Sequence, residues 1–233
     1  MAINIMKKFF FIFVFSLFVF EKSSAATGEG QPTQYQVTMK KVELCTDLAC
    51  TSPYVLGEKD MEADIVPTEG GTNVGNYAPT TGIPPGKVFT HLRVTISRTF
   101  TVTANISTSG ASCKTDGGNN ATATQMTLGL KNGLAAAVPE TMFLNDEGEY
   151  NPANGTKAGG GAIDVDYSDP ESAKAMTVSG DTAVMTYELV SPYQKTLRAP
   201  IIKVKFNTAT AIGVDDTACA MFINEPTVTI ALD

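Results

Sequence analysis

One stretch constrains this chain more than any other. Between residues 88 and 106, Leu92, Val94, Ile96, Phe100, Val102, Ala104 and Ile106 share one parity, while Arg93, Thr95, Ser97, Thr99, Thr101, Thr103 and Asn105 share the other. Side chains of an extended backbone alternate between faces. This period of two therefore builds one apolar and one wet face, the mark of an antiparallel sheet over a single core. The run is longer than an ordinary strand, and Arg98 falls on an inward position, so the pattern predicts a break or bend at residues 97–99. The chain contains 30 Thr among its 233 residues. A β-branched side chain that tolerates water suits the wet face of a strand, so the threonines need no ligand to explain them.

The same rule locates further strands. Tyr35, Val37 and Met39 point one way and Gln34, Gln36 and Thr38 the other. After Lys40 and Lys41 the apolar phase slips by one to Val42 and Leu44, which predicts a bulge or a second short strand leading into Cys45. Met61, Ala63 and Ile65 alternate, and strand-like runs recur at 124–130, 183–190, 201–206 and 226–232. Only 130–138 and 170–176 have a composition suited to a turn or two of helix. Residues 67–86 are rich in Gly, Pro, Thr and Asn and read as a loop, and 145–181 as a long polar insertion that is either a functional loop or hides short strands. Seven to ten strands separated by such turns imply an all-β, antiparallel β-sandwich, with a β-barrel as the alternative.

The first 26 residues carry Lys7 and Lys8, then an apolar run from 9 to 20 broken only by Ser16, then small and polar residues, the layout of a secretory signal peptide. As a helix the run spans only about 18 Å, against about 30 Å of hydrocarbon, so a membrane span is not expected. The division expected is a signal peptide at 1–26, a flexible leader at 27–33 and one sandwich domain at 34–233. Removing Lys7, Lys8, Lys22 and Glu21 leaves 14 basic against 23 acidic residues, a net charge of −9. Nucleic acid and anionic membrane surfaces are therefore not expected partners. Export to the periplasm, cell surface or medium permits disulfides, and four Cys remain: Cys45, Cys50, Cys113 and Cys219. The closeness of the first two favours Cys45–Cys50 and hence Cys113–Cys219. Loop-closure entropy assigns about 2 kcal/mol to the short loop and about 5 kcal/mol to the long one.

Chemistry has few footholds. His91 is the only imidazole, the Cys are expected to be oxidised, and no Gly-x-Ser-x-Gly elbow is present, so Ser-His and Cys-His catalysis are not expected and His91 reads as a surface residue. Paired carboxylates acting as acid and base remain a minor enzymatic alternative. Asp164, Asp166 and Asp169 have something of the spacing of a calcium loop, without the central Gly and closing Glu of an EF-hand. They read first as an exposed acidic loop and second as a calcium site. No other cofactor is expected. Gly86-Lys87 lies in the wrong context for a phosphate loop, and three sequons begin at Asn105, Asn120 and Asn154.

The alternating segments before the first Cys, 34–45, and at the end of the chain, 226–233, resemble those of secreted sandwich subunits that assemble by strand donation, as pilins do. The resemblance carries no site residues. The expected function is a secreted, non-catalytic structural or surface-assembly subunit forming a homo-oligomer or filament. Its contact strand would be either the first, offering Tyr35, Val37 and Met39, or the last. A secreted ligand- or glycan-binding sandwich is the alternative.

Overall fold

A computed structural model describes residues 27–66, 72–73, 83, 85–117, 127–128, 130–131, 136–144, 150–151, 156–157, 173–195, 202–215, 219–224 and 226–232. In chain order the strands are β1 (Thr27–Gly30), β2 (Gln34–Cys45), β3 (Tyr54–Asp64), β4 (Thr72–Asn73), β5 (Val88–Ser97), β6 (Thr99–Thr103) and β7 (Asn105–Ser107). There follow β8 (Ser112–Lys114), β9 (Thr127–Leu128), β10 (Leu130–Lys131), β11 (Glu140–Phe143), β12 (Tyr150–Asn151) and β13 (Thr156–Lys157). The chain closes with β14 (Ala175–Ser179), β15 (Thr182–Gln194), β16 (Ile202–Asn207), β17 (Ile212–Asp215), β18 (Ala220–Ile223) and β19 (Thr227–Leu232). All are β, with no helix among the described residues.

The strands form a nine-stranded sheet, β11-β6-β2-β5-β15-β14-β12-β13 with β3 on β2, and smaller sheets ordered β1-β17-β18-β9, β10-β8-β7 and β19-β16-β4. The arrangement is sandwich-like, and among the described residues the sheets do not close into a barrel. Its core joins inward residues of the large sheet, among them Tyr35, Leu44, Leu92, Phe100 and Val102, to Val204, Ile212, Met221 and Ile230 of the smaller ones.

The break in the long alternating run falls at Arg98. β5 ends at Ser97 and β6 begins at Thr99. On their far side the pairing partner changes from β15 to β11. Arg98 is 6% exposed. Its Nε donates to Leu144 O at 2.7 Å, its Nη1 donates to Gly180 O at 3.1 Å, and its guanidinium lies 4.5 Å from the Phe143 ring centre. A buried guanidinium needs several acceptors, and the carbonyls exposed where two strands meet supply them. The phase slip in β2 is also structural: between Met39 and Lys41 the register shifts against both β3 and β5.

The leader expected to be flexible is instead partly a strand, because β1 pairs with β17 from Thr27↔Asp215 to Gly30↔Ile212. Its glycines serve close approach. A Cβ on Gly28 would stand 2.5 Å from Thr108 Cγ2, and one on Gly30 would stand 2.6 Å from Ile106 Cδ1. The end of the expected polar insertion is likewise strand: β14 pairs with β15 through Ala175↔Thr186 and Met176↔Met185, and Met176 is buried. The helix-suited compositions at 130–138 and 170–176 yield strand at 130–131 and 175–176, since backbone pairing and apolar burial outweigh a weak local propensity. Residues 1–26, where a signal peptide is expected, lie outside the described residues.

The disulfides are Cys45–Cys50 and Cys113–Cys219, with Cα–Cα distances of 5.0 and 5.4 Å. Cys113 belongs to β8 and Cys219 immediately precedes β18, so the second bridge ties two of the smaller sheets together. Disulfides of this kind are typical of proteins that mature outside the reducing cytosol. No helix among the described residues is long and apolar enough to cross a membrane.

Candidate functional site

Between the large sheet and the sheet carrying β16 and β19 lies an apolar cavity of about 90 Å³. Val37, Met39 and Val94 line it from one side, and Phe206, Val228 and Ile230 from the other. The sequence dictates these positions strand by strand, since every one belongs to the apolar parity of its own run. Whether facing side chains meet depends on the separation of the sheets. Here they leave space: Val94, on an inner strand and facing the core, is only half-buried. Met176, Met185 and Tyr187 complete part of the wall, with Tyr187 Oη donating to Met185 Sδ at 3.5 Å.

Tyr35, Val37 and Met39 all line this cavity and are 1%, 8% and 8% exposed. Their strand is hydrogen-bonded on both sides, to β3 on one and to β5 and β6 on the other. In this structure the three side chains are committed to the chain's own core. The last strand differs, because β19 ends its sheet: β16 pairs with it through six consecutive residues, from Asn207↔Thr227 to Ile202↔Leu232, and no second strand among the described residues does so. β19 also comes close to β15, where the two sheets approach each other.

A polar cluster that the sequence reading missed occupies the region beside the short disulfide. Glu43 and Arg93 face each other across β2 and β5. Arg93 Nε donates to Glu43 Oε2 at 2.7 Å, Lys41 Nζ lies 3.0 Å from Glu43 Oε1, and Arg93 Nη1 donates to Cys50 O at 3.3 Å. Burial pushes the Glu43 carboxyl upward, but hydrogen bonds and charge from Arg93 and Lys41 outweigh it and hold the group below the ordinary range. The pair was visible only as two outward residues of unrelated strands, because register is not written in either strand alone.

His91 is half-buried, which corrects its reading as a surface residue. Thr90 Oγ1 donates its one proton to Thr46 O at 2.8 Å, so the 2.8 Å contact between Thr90 Oγ1 and His91 Nδ1 has the imidazole donating. Burial lowers the His91 pKa, with Glu188 and Asp47 opposing it. The imidazole thus sits neutral at pH 7 and is engaged in a structural hydrogen bond. All four cysteines are in disulfides, so none offers it a thiol. Asp164, Asp166 and Asp169 lie outside the described residues, and among the described residues no three His, Cys, Asp or Glu side chains converge as metal ligands.

Comparison with protein-family models, with curated proteins and with solved structures finds no match.

Proposed function

We propose that this protein is a secreted, non-catalytic assembly subunit whose contact with a second copy of the same chain is made through β19. The observation that carries this reading is the position and composition of that strand. It ends its sheet, its register with β16 is unbroken, and its sequence, Thr-Val-Thr-Ile-Ala-Leu, contains no charge and no Pro. A strand that ends its sheet without charge or Pro can take a further strand. Since β15 comes close to β19 and Thr229 is already engaged, the pairing proposed uses the remaining backbone groups of β19. β2 is the weaker choice, since both its sides already pair within the chain. The expected assembly is a homo-oligomer or filament in which added backbone pairing at β19 extends the β19-β16-β4 sheet.

Sedimentation velocity and electron microscopy of the purified mature protein test this, together with a double variant, Thr227→Lys with Ala231→Lys, that places charges on half-buried positions of β19. The wild type is expected to form oligomers or filaments, and the variant to remain monomeric with an unchanged circular dichroism spectrum. A wild type that stays monomeric at high concentration, or a variant that assembles equally well, overturns the proposal.

A further inference from the structure

We infer that the cavity between the sheets is an internal binding site for a small hydrocarbon group, such as the end of an unbranched alkyl chain. Sandwich interiors are close-packed, with few voids larger than a water molecule. This one holds about 90 Å³ of space walled by both sheets. Its lining is almost wholly apolar, so a water molecule placed there would find too few of the two to four polar partners it needs, and a polar or sugar ligand would lose its hydration without compensation. An engineered apolar cavity of about 150 Å³ stays dry and takes benzene. The present cavity is smaller, which favours a narrow chain over a ring.

Two further features point the same way. Met39, Met176 and Met185 all contribute to the wall, and their unbranched thioethers can shift to fit a guest at little cost. Ala63, Val94, Phe206 and Pro226 line the cavity and are only half-buried, so the inferred entrance lies on this part of the wall. A chain end entering there would leave its polar head in water while its last carbons filled the space. The site shares β19 with the proposed assembly edge, but it uses the inward Val228 and Ile230, whereas Thr227 and Ala231 have the opposite parity and do not line the cavity.

Titration with n-alkanols from propanol to octanol, read by methyl NMR shifts of the lining residues and by thermal melting, tests the inference. Saturable binding is expected, with affinity rising about fourfold per added methylene until the cavity is full and then levelling off. Val94→Phe, which fills the space, is expected to reduce binding at least about tenfold. Ala63→Leu on β3 gives the same readout if that variant does not fold. Thr227→Lys with Ala231→Lys should bind as the wild type does, which separates this site from assembly. Absence of saturable binding in the wild type, affinity independent of chain length, or undiminished binding in every folded filling variant overturns the inference.

Discussion

The two faces of β5 follow different rules. Arg93, on one face, meets a chosen partner: it is hydrogen-bonded to Glu43 and to Cys50 O, and Lys41 completes the carboxylate's pairing. Val94, the next residue, faces the core and meets a void. Charged groups need particular partners at particular distances, and a misplaced one is penalised steeply. Apolar groups need only to leave water, and many sheet separations achieve that to a similar degree. The polar side therefore specifies strand register, whereas the apolar side drives association and leaves the spacing of the sheets less tightly determined.

The largest effect expected from disturbing this contrast is on the polar side. Glu43 is 2% exposed, so Arg93→Ala strands a buried carboxylate with Lys41 alone and should cost about 3 kcal/mol in urea denaturation. A loss under about 1 kcal/mol would show that the pair adds little to stability. On the apolar side, Val102, which is 0% exposed and closely packed, should lose about 2 kcal/mol on truncation to Ala. Val94→Ala should lose less than about 1 kcal/mol, because part of its surface already faces empty space. Equal losses at the two valines would contradict the distinction.

Acidity separates the faces again, because Glu43 and His91, whose pKa values are lowered, both lie on the polar side. Glu43 has a lowered pKa in the fold, so its contribution is present above the ordinary value of 4.5 and is lost as pH falls through its folded pKa. His91 is also lowered, so the unfolded chain takes up its proton first; stability declines as pH falls below 6.5 and until the folded imidazole itself protonates. Denaturant midpoints measured across pH should therefore fall in two steps. Glu43→Gln should remove the lower step and His91→Gln the upper, while Val94→Ala moves neither. The smallest effect belongs to Lys40 and Asp60, an ion pair at 3.4 Å whose side chains are 33% and 70% exposed. Its removal by Lys40→Ala should change stability by less than about 0.5 kcal/mol, and by less still at high salt.

Much of the large sheet could be read in advance because its strands are long enough to express a period. Residues 88–106 showed both their inward set and the anomaly at Arg98, since a charge at an apolar position stands out without any structure. The shift after Met39 was legible for the same reason: a bulge moves every later side chain to the opposite face. β9, β10, β12 and β13 have only two residues each, too few to show a period at all. β1 was misread because Gly signals flexibility and close approach equally, and only the neighbours Thr108 and Ile106 distinguish the two.

Of the candidate sites, the sequence supplied the parts without their relation. It placed Val37, Met39, Val94, Val228 and Ile230 on apolar faces, and it showed the last strand to be uncharged. That these residues surround a cavity, that Glu43 lies opposite Arg93, and that β19 rather than β2 ends a sheet were decided by tertiary structure. The physical reason is range. Parity, turn chemistry and charge are properties of a few adjacent residues, fixed by backbone geometry, whereas register, sheet order and the distance between sheets emerge only when segments far apart in the chain compete for the same neighbours.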